Sequence, residues 1–388
     1  MFTCGVGLSQ ISPILPLFIR DLGIDNAADV ARFSGIAFGI TFILSAVFSP
    51  IWGIVADKYG RKLMLLRASL GLALFQFFTG FVETVAALII IRALIGITAG
   101  YVTACTTLIA SQTDKEHAGF AIGTLSTAHI AGSLLGPTLA GVIETFIGIR
   151  NVFFATGGLL MLSFLITLIF VKEDFVRPDK VSSKFKDVWQ QIPDKRLTIS
   201  VFIALMTINI AVFFTEPILT VFVEFLSNNS QYIALLAGMI FSANGLATIL
   251  SSTILGTLSD KVGVHKIILI TVFVSSGVYL SQALSPNLWF LLVFNFLLGL
   301  SAGGLRAQIN ILIRKITPDN LTGRMFGLVT TGGYIGMVVG SFLGGQVAGA
   351  FGIRASFFCS SALMLMNSIF IYFNIYRKMN TAKLPEHI

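Results

Sequence analysis

Residues 53–62 read Gly53-Ile54-Val55-Ala56-Asp57-Lys58-Tyr59-Gly60-Arg61-Lys62, and residues 256–263 read Gly256-Thr257-Leu258-Ser259-Asp260-Lys261-Val262-Gly263. The shared frame, Gly-x3-Asp-Lys-x-Gly, returns after an offset of 203. Four other pairs keep this spacing to within one residue. Pro13-Ile14-Leu15 returns as Pro217-Ile218-Leu219, Gly96-x3-Gly100 as Gly299-x3-Gly303, and Gly132-x3-Gly136 as Gly336-x3-Gly340; Gly148-Ile149-Arg150 returns as Gly352-Ile353-Arg354. One offset held through five motifs marks an internal duplication, each copy spanning about half of the 388 residues.

The chain between these motifs is apolar. Hydrophobic residues make up 55% and charged residues 11%, with a mean hydropathy of +0.89. A soluble domain carries roughly 25% charge, so this composition cannot cover a water-facing surface. A spanning helix takes about 20 apolar residues, and hydropathy and breakers predict such helices near 2–19, 31–56, 64–82, 85–109, 119–145 and 152–171. Six more follow near 198–225, 232–257, 267–285, 287–313, 324–349 and 354–376. The expected fold is an all-α membrane protein with twelve transmembrane helices in two six-helix repeats. The halves are 1–171 and 198–388, the second with a short tail, and 172–197 is a charged linker with a short amphipathic helix around Phe185–Ile192. The first segment has no polar leader before Met1, as a start placed too far downstream would produce.

Net charge is +8. Its distribution argues for topology rather than nucleic-acid binding. Of the 26 Lys and Arg, Arg20, Arg32, Arg150 and Arg354 fall on one side, Arg92 and Arg306 within helices, and all others on the opposite side. The positive-inside rule then places both termini in the cytoplasm. Cys4, Cys105 and Cys359 sit in apolar stretches with no disulfide or metal spacing. No nucleotide-binding GxxxxGK[ST] loop, HExxH or paired Ser/His set is present, which argues against an ATP-driven pump and an intramembrane enzyme. No cofactor or metal is expected.

The motif wording carries a resemblance. The run Gly53–Lys62 matches the loop motif of the major facilitator superfamily in full. Gly132-Ser133-Leu134-Leu135-Gly136-Pro137, continuing to Gly141, resembles the fifth-helix motif of its proton-driven antiporters, and Arg92-x3-Gly96-x3-Gly100 their fourth-helix motif. The whole chain is similar to bacterial multidrug exporters of the drug:proton antiporter group. This resemblance implies a major facilitator fold in the bacterial plasma membrane. It implies export of hydrophobic or amphipathic small molecules in exchange for protons, the coupling ion. A siderophore or metabolite exporter of the same fold is the alternative. A monomer is expected, in contact with substrate, protons and the lipid bilayer, and not with nucleic acid.

Site candidates follow. Gly60 permits a sharp turn, and Asp57 can accept hydrogen bonds from a facing helix N-terminus. The resemblance makes Gly53, Asp57, Gly60, Arg61 and Lys62, with Asp260 in the second copy, a conformational latch; a solvated turn is the plainer reading. Arg92, Glu216 and Arg306 are intramembrane charges, functional candidates because ions are costly there. Arg92 is expected to anchor on the first helix, where Pro13 and Pro16 free the carbonyls of Ser9 and Ser12. Glu216 replaces its repeat mate Ser12 and is the deepest acid, suited to proton exchange. Glu224, eight residues on, is expected at the surface. Gly132, Gly136, Pro137 and Gly141 form a hinge in the fifth helix or a close-packing face. Gln10, Met206, Phe213 and Phe214 are expected to line a substrate cavity.

Overall fold

Asn26 starts the longest early helix by accepting a hydrogen bond from the Ala28 amide at 2.9 Å, and Gly60, at φ +96°, ends it. Thr84 and Asn287, a repeat pair, cap two more helices in the same way. Gly148 and Gly352, also mates, both turn the chain at positive φ. The duplication read in the sequence is thus a duplication of helix starts and stops. The computed structural model describes residues 1–173, 175, 194–227, 230, 232–317 and 322–381. The amphipathic helix expected at Phe185–Ile192 lies outside them.

All twelve expected helices have a counterpart. α1 is Phe2–Ser9 and Ile11–Asp21, bent by 43° at Gln10. α2 is Ala27–Tyr59, α3 Arg61–Thr79, and α4 Val85–Thr98 continuing as Tyr101–Gln112. α5 is Lys115–Ile147 and α6 Ile149–Phe170. α7 runs Lys195–Thr215, passes a 3-10 turn at Glu216–Ile218 and resumes as Leu219–Ser227. α8 is Ile233–Val262, α9 Val264–Ala283, and α10 Leu288–Ala302 with Leu305–Ile316. α11 is Thr322–Phe351; α12 is Ile353–Ile371, extended by a π-turn at Tyr372–Tyr376 and Arg377–Thr381. Among the described residues, ten helices are long and apolar enough to cross a membrane, and bent α1 makes eleven. The first piece of α10 is short on its own. Large apolar side chains such as Ile90, Phe170, Phe273 and Met366 point outward, which only a lipid solvent accepts without cost.

By its packing the chain forms two units. One comprises Met1–Lys180, Glu216–Ser242 and Gly344–Ile353, the other Val181–Thr215, Ala243–Leu343 and Arg354–Ile388. Inside the first, α1 packs on α5 and α6, α3 on α6, and α2 on α4. Inside the second, α9 packs on both pieces of α10. The α2–α4 hydrogen bond from Thr41 Oγ1 to the Arg92 carbonyl, 3.1 Å, has a mate in the bond from Asn244 Nδ2 to the Asn295 carbonyl, 3.0 Å.

Candidate functional site

The loop motif ends α2 and starts α3 through Gly60. Gly60 takes φ +96°, which favours glycine, and a Cβ there would lie 2.8 Å from Glu173 Oε2, so a larger residue would also push the Glu173 carboxylate aside. Glu173, just past α6, accepts hydrogen bonds from the Arg61 amide at 2.8 Å and the Lys62 amide at 2.7 Å. Two otherwise unpaired amides and the positive end of α3 meet one carboxylate. The anion on a helix N-terminus that the sequence suggested for Asp57 is, at α3, supplied by Glu173. Asp57 is exposed, and the Cβ of an alanine at Gly53 would meet open space. The Asp260 side chain lies outside the description.

Arg92 is 3% exposed, and its Nε and Nη2 have no partner among the described residues. The expected anchor on the α1 carbonyls is not made by these nitrogens; the Ser12 carbonyl accepts instead from Thr220 Oγ1 at 3.3 Å. The mate of Arg92, Asn295, is satisfied differently, its Oδ1 accepting from Gln282 Nε2 at 3.2 Å. Gln10 is also sealed in: it is 2% exposed, and its Oε1 accepts from Thr156 Oγ1 of α6 at 2.6 Å. It joins α1 to α6 here rather than lining open space. On α7, Phe214 is buried, while Met206 and Phe213 are half-buried. The Arg306 side chain lies outside the description.

Glu216 sits at the break of α7 and accepts a hydrogen bond from Ser12 Oγ at 2.9 Å. Ser12 is its repeat mate. Eight residues on, Arg20 Nε meets Glu224 at 2.8 Å, another pair of mates at offset 204. Glu224 is therefore not the surface acid expected; its side chain is 15% exposed. Both contacts therefore join equivalent positions of the two copies. An undiverged pair there would set like against like, and replacing one partner converts repulsion into a salt bridge.

The α5 glycines are close-packing positions in this structure. A Cβ at Gly132 would strike the Phe2 carbonyl, and one at Gly136 the Val6 carbonyl at 2.7 Å. Gly141 faces α8, with Ala234 O 2.6 Å from an added Cβ; its mate Gly345 faces α2, with Ala31 O at 2.6 Å. Next to Pro137, Thr138 Oγ1 bonds Ser242 Oγ at 2.8 Å.

The sequence reading passed over one further cluster. α4 breaks at Ala99–Gly100, where Gly100 takes φ +115°. The break exposes carbonyls, and Arg67 from α3 takes two of them, Ala99 O at 2.9 Å and Ile97 O at 3.4 Å. The Arg67 guanidinium lies 3.9 Å from the Trp52 ring centroid, and Trp52 Nε1 also donates to Ile97 O at 2.7 Å. Gly100, already noted in the repeat, was the available signal.

The Major Facilitator Superfamily model matches residues 1–226 and again 205–387. The multidrug resistance protein MdtG of Proteus mirabilis is 36% identical over 371 residues, 95% of this chain and 92% of its own. MdtG of Salmonella schwarzengrund is 34% identical over 378 residues, 97% and 94% of the two chains. Among solved structures, a bacterial homologue of the human lysosomal transporter Spinster, inward-facing and occupied, superposes with a TM-score of 0.77 at 14% identity, covering 98% of this chain and 95% of that one. The nucleoside transporter NupG does so with a TM-score of 0.72 at 15% identity over 98% of both. The repeat, the twelve helices and these matches agree: the chain is a multi-pass membrane transporter belonging to the Major Facilitator Superfamily.

Proposed function

We propose that this protein exports hydrophobic or amphipathic compounds from a bacterial cell in exchange for protons, working as a monomer with both termini in the cytoplasm. The observation that carries the reading is the match, over nearly the full length of both chains, to transporters named for multidrug resistance. The halves 1–171 and 198–388, joined by 172–197, exchange access to the two sides of the membrane. Asp57 and the loop around it act on that exchange. Glu216 is the proton carrier: it lies in a helix break, where backbone and side chain can rearrange together, and its partner Ser12 can donate to the ionised form and either donate or accept with the neutral one.

The test is uptake of a fluorescent amphipathic cation into vesicles containing purified protein, driven by an imposed pH gradient. Accumulation that a protonophore abolishes supports the reading, and transport indifferent to the gradient overturns proton coupling. Glu216→Gln mimics the protonated acid, so it should uncouple export from the gradient while sparing the fold. An unchanged pH profile would remove Glu216 from the mechanism.

A further inference from the structure

An uninterrupted α-helix would give the Ile97 and Ala99 carbonyls to the amides of Tyr101 and Thr103, four residues on. In α4 the first backbone bond of the inner piece runs instead from the Ala104 amide to the Gly100 carbonyl, at 2.9 Å. The two carbonyls before it are taken by side chains of neighbouring helices. Ile97 O accepts from Trp52 Nε1 of α2 at 2.7 Å and from Arg67 Nη1 of α3 at 3.4 Å, and Ala99 O accepts from Arg67 Nη2 at 2.9 Å. Gly100 between them is left-handed, at φ +115°.

The second copy supplies the comparison. At offset 203 the mates of Trp52, Arg67 and Gly100 are Leu255, Ile270 and Gly303. Leucine and isoleucine have no side-chain N–H to offer a carbonyl. α10 is also interrupted, at Gly303–Gly304, but both glycines stay in the right-handed region, Gly303 at φ −60° and ψ −34°. The left-handed break therefore accompanies the two donors and is missing where they are replaced.

The break also sets the face that the inner half of α4 presents. Along Tyr101–Gln112, Tyr101, Cys105 and Leu108 are buried, while Thr103, Thr107 and Ser111 are exposed. Exposed hydroxyls within a spanning helix border water rather than lipid. A residue that passes from the left-handed to the right-handed region re-aims everything after it, and this face would turn with it.

We propose that Arg67, acting with Trp52, is a positioning residue for transport: it holds α4 broken at Gly100 and so aims the face of Thr103 and Thr107. When the two carbonyls are released, Gly100 turns right-handed as Gly303 is, the Tyr101 and Thr103 amides take them, and the inner half turns. Lysine cannot replace Arg67, because it lacks the planar fork that reaches both carbonyls while lying 3.9 Å from the Trp52 ring centroid. The inference rests on the transport of amphipathic compounds proposed above and is independent of proton coupling.

The experiment has two readouts. In the first, the purified full chain reacts with a water-soluble maleimide, and peptide mass spectrometry gives a rate for each native cysteine. Cys105 lies on the inner half of α4 and Cys4 on α1, both buried. The variants are Arg67→Met, Arg67→Lys and Gly100→Ala. In the last, the nearest neighbour of the added Cβ is Arg67 Nη2 at 3.5 Å, so the substitution acts on the left-handed backbone rather than on packing. Each should speed labelling of Cys105 about tenfold, the weight of one hydrogen bond to a charged group, and leave Cys4 unchanged. An unchanged Cys105 rate would overturn the proposal, and so would equal acceleration of Cys4, which would mark a general loosening of the fold. The second readout is counterflow of the fluorescent amphipathic cation in vesicles without a pH gradient. The same variants should lower its maximal rate about tenfold at unchanged KM, and a normal maximal rate would overturn the proposal. The labelling needs no substrate, so failure of the proposed function and failure of this inference are distinguishable.

Discussion

Arg20 and Glu224 offer a test that only a duplicated protein permits. They occupy equivalent positions in the two repeats and face each other at 2.8 Å, with side chains 26% and 15% exposed. Exposed ion pairs contribute about 0.2–1 kcal/mol, and removing one partner of a fully buried pair costs about 3–5 kcal/mol. This pair lies between the limits, so either single alanine variant should lose about 1–2 kcal/mol, and a double-mutant cycle should show a coupling of about 1 kcal/mol. The charge exchange Arg20→Glu with Glu224→Arg is more discriminating. The two sites occupy equivalent positions of the repeat, so the swapped pair can form between them. Recovery should be incomplete, because Arg20 Nη1 also donates to the Asp25 carbonyl at 2.5 Å, a bond the swap removes. Thermal unfolding in detergent gives the stabilities, and initial transport rates in vesicles give the functional effect. If the single variants are additive and the exchange is no better than either, the contact carries no coupling between the repeat mates.

The other expectations concern the loop and the buried charge. Glu173→Ala removes two charge-assisted hydrogen bonds, and the Arg61 and Lys62 amides should exchange with solvent at least tenfold faster, for a loss of about 2 kcal/mol; unchanged protection would show that the cap is dispensable. Asp57→Asn should slow transport with little change in substrate affinity, because it acts on conformational exchange; weakened binding at normal turnover would contradict this. Arg92→Asn copies the mate Asn295 and should raise the melting temperature, by removing a buried guanidinium with unpartnered nitrogens, while abolishing coupled transport; a lower melting temperature would show that Arg92 is structural. Lys378 holds the Asp194 carboxyl below its ordinary range, chiefly by the hydrogen bond it donates. Stability from the pair is therefore present above the ordinary carboxylate range and lost as pH falls through it, and Lys378→Ala should flatten that acid limb in a pH series of melting curves.

The fold was legible because its signals are local and repeated. Apolar length sets a helix, and a glycine at positive φ ends it, as at Gly60 and Gly148. The site was less legible because its contacts join residues far apart in the chain. Arg92 was recognisable as a buried charge, but its lack of partners for Nε and Nη2 depends on where the α1 carbonyls end up. Glu173 looked like one charge of the linker, since nothing near it in sequence shows the two amides it meets. Glu224 was misplaced for another reason. Its position was judged along α7 alone, whereas its surroundings come from its repeat mate Arg20 on α1.

The two copies of the loop motif have diverged where the structure gives divergence a consequence. In the first, Glu173 caps α3 and restrains the turn at Gly60. The equivalent position in the second, at offset 204, is Arg377. A cation there cannot cap the N-terminus of α9, because both repel positive charge. The second copy has contacts of another kind, His265 Nε2 with Asn380 Oδ1 at 3.1 Å and the His265 ring against Tyr376. The first repeat uses an acid to fix its own loop, and the second has a base at the equivalent position. A turn whose two first helical amides meet one carboxylate resists rearrangement more than a turn without that acid. If the halves exchange conformation, the second copy, with no acid at the Glu173 position, is therefore the one whose turn adjusts more readily.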